Sequence, residues 1–267
     1  MSKIADQTYL LDKQYRNAAN LNDRIQLHAR YSTNPYGWHR WIFDRLALAP
    51  RSRILELGCG PGRLWLQNIE RIPADWEITL SDFSPGMLEE TRRSLAGSGR
   101  PFSFEVIDAQ SIPFADASFD AVIANHMLYY VPDRAKALGE IRRVLRSGGY
   151  LYASTVGAAH LREMGELAEQ FDPRLVPWVG ARPTDSFRLE NGAEQLAPYF
   201  AEVALHRYED ALIVTEAEPL VAFIASEDPH GRVSGDRRAE FTRFVERELA
   251  EHGAMHITKD AGLFEAW

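Results

Sequence analysis

The chain has 267 residues, 45% apolar and 25% charged, which suits a globular protein with one sizeable core. A formal net charge of −8 leans against nucleic acid or an anionic membrane as partner, because both need a basic footprint. The single cysteine, Cys59, excludes a disulfide within the chain and argues against a cysteine zinc site, so no metal is expected.

The N-terminal MSKIADQTYLLDKQYRN carries no apolar stretch of the secretory kind. No run approaches the roughly 18 apolar residues of a membrane span. A cytoplasmic protein with no membrane partner is the expectation. Residues 10–30 place Leu10, Leu21, Ile25 and Leu27 at partly helical spacing. Asn34-Pro35 and Gly37 mark a turn, and WHRWIFDRLAL then sets Trp38, Trp41, Ile42 and Leu46 on one helical face. Residues 1–50 thus read as an N-terminal helical cap.

From residue 53 strands and helices alternate. RILELG is a short apolar strand, 62–70 looks helical, and WEITLSD (76–82) is a second strand. Pro85 to Leu95 reads as a helix with Ser84 as N-cap and proline at the first position. PFSFEVIDA (101–109) and FDAVIANHM (119–127) are the third and fourth strands, the fourth apolar enough to be buried on both faces. Residues 133–146 form an amphipathic helix that the glycines of SGG (147–149) are expected to stop, before strand YLYAST (150–155). This rhythm predicts an α/β fold with a doubly wound parallel sheet and a ligand site at the carboxyl ends of its strands. Residues 51–157 are its core. Prolines 173, 177 and 183 break the helical segments of 158–195, which read as an inserted helical lid. Residues 196–267 return to the core: a strand or two short ones over 203–215, helices near 216–227 and 236–252, and a final strand or hairpin.

The chemistry centres on ILELGCGPGRLW. Gly58, Gly60 and Gly62 are spaced G-x-G-x-G, whereas a dinucleotide fingerprint is G-x-G-x-x-G and would need glycine where Arg63 stands. A phosphate loop needs G-K-[ST], and 51–100 contains no lysine. A glycine-rich turn without ligand is the bland alternative. With Glu56 the stretch becomes E-x-G-x-G-x-G, which resembles motif I of the class I S-adenosylmethionine-dependent methyltransferases, in particular the small-molecule, type 11-like group. The cofactor has no phosphate, and glycines remove the Cβ atoms that would keep its amino-acid end and ribose from the backbone. Glu56 is an acid near a cationic ligand, acting directly or by holding the loop.

Further landmarks follow in order. SDFSPGML resembles the family's D-x-S-x-x-M/L, which implies Asp82 at the ribose and Phe83 and Met87 near adenine. Asp108-Ala109 falls where the family's acidic residue and next backbone N–H meet adenine. Phe119-Asp120 opens strand four as S-F-D, and LRSGG resembles L-K/R-P-G-G with Ser147 in the proline position. The resemblance covers about residues 50–155. It implies a Rossmann-like methyltransferase fold with a mostly parallel seven-stranded sheet, S-adenosylmethionine as cofactor and S-adenosylhomocysteine as product.

The methyl is already activated by the sulfonium, so the protein must align an acceptor, with a base only if a proton must leave. The loop ANHMLYYVPD offers Asn125 as a backbone contact to the cofactor and His126 as candidate base. D/N-P-P-Y/F is absent there, which argues against methylation of DNA adenine or glutamine side chains. Tyr31, Trp38, Tyr129, Tyr130 and Trp178 are candidate acceptor contacts, although aromatic residues at helical spacing are commonly core. Such relatives act on small metabolites, so a small-molecule acceptor, including a secondary metabolite, is expected, on O, N or C. Two other readings stay open: an S-adenosylmethionine-binding cyclase, pericyclase or lyase, and a catalytically silent binding subunit. The oligomer, monomer or homodimer, is left open.

Overall fold

The computed structural model describes residues 19–175, 183–228 and 231–267. Seven strands form one sheet: β1 (Arg53–Leu57), β2 (Glu77–Asp82), β3 (Ser103–Val106), β4 (Phe119–Asn125), β5 (Leu145–Val156), β6 (Val203–Val214) and β7 (Met255–Ala266), in the order β3-β2-β1-β4-β5-β7-β6. β1 to β5 are mutually parallel, and β7 runs antiparallel to both β5 and β6. The sheet is doubly wound as the alternation predicts. β1 and β4 are almost wholly buried, as strands covered on both faces must be.

Helices are α1 (Ala19–Tyr31), α2 (Trp38–Phe43), α3 (Arg63–Leu66), α4 (Pro85–Leu95), α5 (Arg134–Val144), α6 (Arg162–Phe171), α7 (Gly192–Leu196), α8 (Ala217–Ser226) and α9 (Gly235–His252). The Ser84 hydroxyl caps α4 by accepting from the Met87 N–H at 3.2 Å, and Asp133 caps α5 from the Lys136 N–H at 3.0 Å. On α5, Ala137, Leu138, Ile141 and Val144 face the sheet.

Several boundaries differ from the sequence reading. Helix 62–70 is only the short α3 and a 3₁₀ turn at Ile69–Arg71. β3 covers four residues, so Asp108 and Ala109 lie past its end in the following loop. The glycines of SGG do not stop α5. The helix ends at Val144, and Ser147 to Gly149 lie inside β5, where its register against β4 shifts. Gly148 is left-handed at φ +71, and a Cβ on Gly149 would stand 3.0 Å from the Asp120 carbonyl, so this irregularity needs both. Residues 203–215 and the tail each form one long strand.

β7 pairs with β5 only through residues 261–266, whereas it pairs with β6 along its full length. Residues 255–260 and 209–214 therefore continue past the carboxyl end of β5 as a two-stranded ribbon. Gly157, where the chain leaves β5, accommodates it: a Cβ there would overlap the Asp260 carboxylate. On the ribbon a second core forms from α1, α6, α8 and α9, with Leu27, Met164, Leu212, Leu220 and Phe241 among its buried members. The helical cap is thus drawn from three stretches of chain, not from 1–50 alone. In the expected lid, Phe171 packs 4.8 Å from Phe241 and Phe187 is fully buried against Phe264 at 5.8 Å, so both ends of that segment are built into the core.

Candidate active site

A cavity of about 910 Å³ opens at the carboxyl ends of β1, β2 and β4 and runs under the ribbon and the cap. One end is formed by the glycine loop. Gly58, Gly60 and Gly62 are all left-handed, at φ +67, +53 and +73, which favours glycine at each. Their roles differ. A Cβ on Gly58 would meet Met127 Cβ at 2.9 Å, so this glycine lets the β4 loop close on β1. A Cβ on Gly60 would have only Leu21 at 3.6 Å across the cavity; here the bare backbone faces the ligand space. Gly62, expected as a cofactor contact, is off the wall. Its Cβ would press on Thr91 Cγ2 at 2.8 Å, so it serves the packing of the loop on α4.

Two carboxylates hold this loop. Glu56 accepts from the indole N–H of Trp65 at 2.6 Å and from the Asn125 amide at 3.3 Å. Burial outweighs both bonds and lifts its pKa to about 7. Asp82 Oδ2 accepts the Gly60 N–H at 3.0 Å and Oδ1 the Ser84 N–H at 2.8 Å, while burial raises its pKa. Phe83 and Met87 follow on the wall, then Asp108 and Ala109. Asp108 accepts the backbone N–H of Gln110 at 2.9 Å and its amide at 3.0 and 3.1 Å. Trp65 is the residue that sequence reasoning missed here; in sequence it is one more apolar residue after a glycine loop.

Beyond Asn125 the cavity continues under the cap, and this end is its second chamber. His126 is left-handed at φ +51, and its N–H donates to the Ser154 carbonyl and hydroxyl, each at 3.1 Å. The hydroxyl in turn donates to Asn125 Oδ1 at 3.1 Å. The His126 ring lies 5.1 Å from that of Trp38. Burial first, then the Lys259 charge, lowers its pKa to about 4, so it is neutral at ordinary pH. Tyr129 and Tyr130, with rings 4.6 Å apart, complete this side. Opposite stand Ile25 and His28 of α1, Met164 of α6, Phe223 and Ile224 of α8, and Lys259 of the ribbon. Tyr31 is not among the lining residues; it is buried in the cap core. Trp178 lies outside the described residues. Among those described, no group of His, Cys, Asp and Glu could hold a metal ion, and no helix is long and apolar enough to cross a membrane.

A family model described as a methyltransferase domain matches residues 55–153, which run from within β1 to within β5 and hold the whole glycine loop. The chain is 35% identical over 151 residues to demethylmenaquinone methyltransferase of Thermus thermophilus, covering 56% of this chain and 68% of that protein. It belongs to the class I S-adenosylmethionine-dependent methyltransferases. A ubiquinone/menaquinone biosynthesis C-methyltransferase UbiE from Geotalea daltonii is 36% identical over 115 residues, 42% of this chain and 48% of that protein. This methyltransferase thus spans from about half to two thirds of the length of these relatives. Among solved structures, phosphoethanolamine N-methyltransferase 2 of Haemonchus contortus shares the fold over 100% of this chain and 60% of that one, with TM-score 0.59 and 17% identity. The [4+2]-cyclase SpnF aligns over 96% of this chain and 84% of its own, with TM-score 0.53 and 19% identity. At such identities both likenesses concern the fold alone.

The cofactor of this methyltransferase is S-adenosylmethionine, and the first chamber suits it. The bare Gly60 backbone gives the close approach that a phosphate-free ligand needs, and Glu56 and Asp82 supply acidity for a cation.

Proposed function

We propose that this methyltransferase transfers the S-adenosylmethionine methyl to a small, flat, apolar acceptor of the phenol or quinol kind. The observation that carries the reading is the continuity of the cavity. The cofactor end passes without a wall into a chamber lined by Ile25, Met164, Phe223, aromatic rings and neutral imidazoles. The relatives named as quinone methyltransferases support the acceptor class.

In this reading Glu56 faces the cofactor's ammonium while holding Trp65 and Asn125. Gly58 and Gly60 admit the amino-acid end, and the Asn125 backbone borders it. Asp82, already tied to two backbone N–H groups, offers its remaining lone pairs to the ribose. Phe83, Met87, Asp108 and Ala109 enclose adenine. Trp38, Tyr129 and Tyr130 flank the acceptor beside His126. An imidazole whose conjugate acid has a pKa of about 4 is a weak base. Proton transfer to it from an ordinary alcohol is strongly uphill, so His126 suits only an acceptor whose hydroxyl is itself acidic.

The test is turnover with S-adenosylmethionine and a reduced 1,4-naphthoquinone that is unsubstituted beside one hydroxyl. Expected are release of S-adenosylhomocysteine and a product heavier by one methylene. Consumption of the acceptor without S-adenosylhomocysteine would mark a cyclase or lyase instead. His126→Ala is expected to lower kcat by about a hundredfold or more; unchanged turnover would remove His126 from the chemistry.

A further inference from the structure

Two polar residues outside the family-matched segment meet in the acceptor chamber, one from α1 and one from the ribbon. His28 lines it with a ring stacked 6.3 Å from His160 and edge-on to Phe223 at 5.8 Å. Its Nδ1 is buried without a hydrogen-bond partner. An N–H at that position would be an orphaned buried donor, which native structures avoid more strictly than an unused lone pair. The proton of the neutral ring therefore resides on Nε2, the nitrogen left facing the chamber. Burial first, and the Lys259 charge next, hold the pKa at about 3, so His28 stays a neutral donor.

Lys259 also lines the chamber, with 9% of its side chain exposed. Its ammonium is paired with Asp210, which is fully buried. Asp210 is shared among other donors: the Ser32 hydroxyl on Oδ2, and on Oδ1 the N–H groups of Asn34 at 3.0 Å and Ala211 at 2.8 Å and the Thr33 hydroxyl at 3.2 Å. A carboxylate so divided leaves the ammonium with positive character toward the chamber. Ser32 stands one helical turn after His28, and its N–H donates to the His28 carbonyl at 3.1 Å. His28 and Lys259 are thus both set around Asp210. Glu227, the carboxylate on the α1–α8 side, is engaged by Arg24 at 3.5 Å.

We propose that His28 and Lys259 form a grip for an anionic oxygen of the acceptor: His28 Nε2–H donates to that oxygen and the Lys259 ammonium offsets its charge, so the chamber selects a flat apolar molecule with an ionised acidic hydroxyl. This rests on the acceptor-chamber reading above and assigns to it two specificity residues. It also accounts for how a site whose imidazoles are poor bases can work: an oxygen site matched to negative charge favours the ionised form of the acceptor and so makes its hydroxyl easier to deprotonate.

The test is equilibrium binding, independent of turnover. The probes are 2-hydroxy-1,4-naphthoquinone, anionic at neutral pH, and its neutral 2-methoxy counterpart, both added to protein saturated with S-adenosylhomocysteine. The wild type is expected to prefer the anion by about tenfold or more, the range of a charge-assisted hydrogen bond. Lys259→Met combined with Asp210→Asn removes both charges together, so no lone buried ion is left. It is expected to reduce the preference to about threefold or less. His28→Phe is expected to reduce it in part, and His28→Gln, which keeps an N–H donor, to restore most of it. All variants should retain the wild-type affinity for S-adenosylhomocysteine, which reports an intact fold. Equal binding of the two probes to the wild type, failure of the anion to bind, or an anion preference that survives the double variant would each overturn the proposal. A wild type that binds the anion selectively yet methylates no quinol would sink the proposed acceptor and leave the grip standing.

Discussion

Glu56→Gln isolates the coupling between cofactor and proton. With a pKa of about 7, Glu56 is half ionised at pH 7 in the free protein and only about one-tenth ionised a unit lower. The cofactor's ammonium favours the charged form, so binding draws the proton off. About half a proton is then released per ligand at pH 7 and about nine-tenths at pH 6, provided the bound pKa lies well below. Over that unit, affinity falls about fivefold, or about 1 kcal/mol, and then about tenfold per further unit. Calorimetry with S-adenosylhomocysteine in two buffers of different ionisation enthalpy measures the release directly. The amide introduced by Glu56→Gln carries no proton to lose, so the variant is expected to show a flatter pH profile and weaker binding than wild type at pH 8. Trp65→Phe removes the 2.6 Å bond that favours the carboxylate, so the release is expected to move to higher pH. A wild type that releases no proton at pH 7, or the same release from Glu56→Gln, would refute the reasoning.

The glycines and His39 give further expectations. Gly62→Ala places a Cβ 2.8 Å from Thr91 at φ +73 and should cost about 1–3 kcal/mol in urea unfolding, with cofactor affinity of the folded protein unchanged. Gly58→Ala, pressed against Met127, should lose cofactor affinity as well, by titration with S-adenosylhomocysteine. His39 has its pKa lowered to about 4 by burial first and then by Arg63. The unfolded chain takes up this proton near pH 6.5 and the folded one only near 4, so stability falls as pH drops through that window. Relative to wild type, His39→Phe should gain about 1.4 kcal/mol per pH unit between those limits; a difference independent of pH would contradict a ring held neutral in the fold.

The glycine loop and the acids around it were legible in the sequence because their signals are local. E-x-G-x-G-x-G and the acids that end β2 and follow β3 each sit where a strand meets a turn. Spacing still misplaced Gly62, because the Thr91 side chain that it accommodates lies far along the chain, on α4. The SGG stretch misled for the opposite reason: glycine serves a helix end and a bulged strand equally, and only the Asp120 carbonyl decides between them. The acceptor half was hardly legible. Lys259 is one lysine in a tail strand, and its meaning comes from Asp210, Ser32 and His28, brought together by the pairing of β6 with β7.

The ribbon beyond β5 also divides the cavity lining between two parts of the chain. The segment matched by the family model holds the glycine loop, with His126 and the two tyrosines, whereas residues before it and after β5 supply most of the proposed acceptor wall. Substitutions on α1, α8 or residues 255–260 can therefore change that end of the cavity while Glu56 and Asp82 keep their hydrogen bonds. A chain built this way lets one end of a single cavity be altered without disturbing the loop that closes the other.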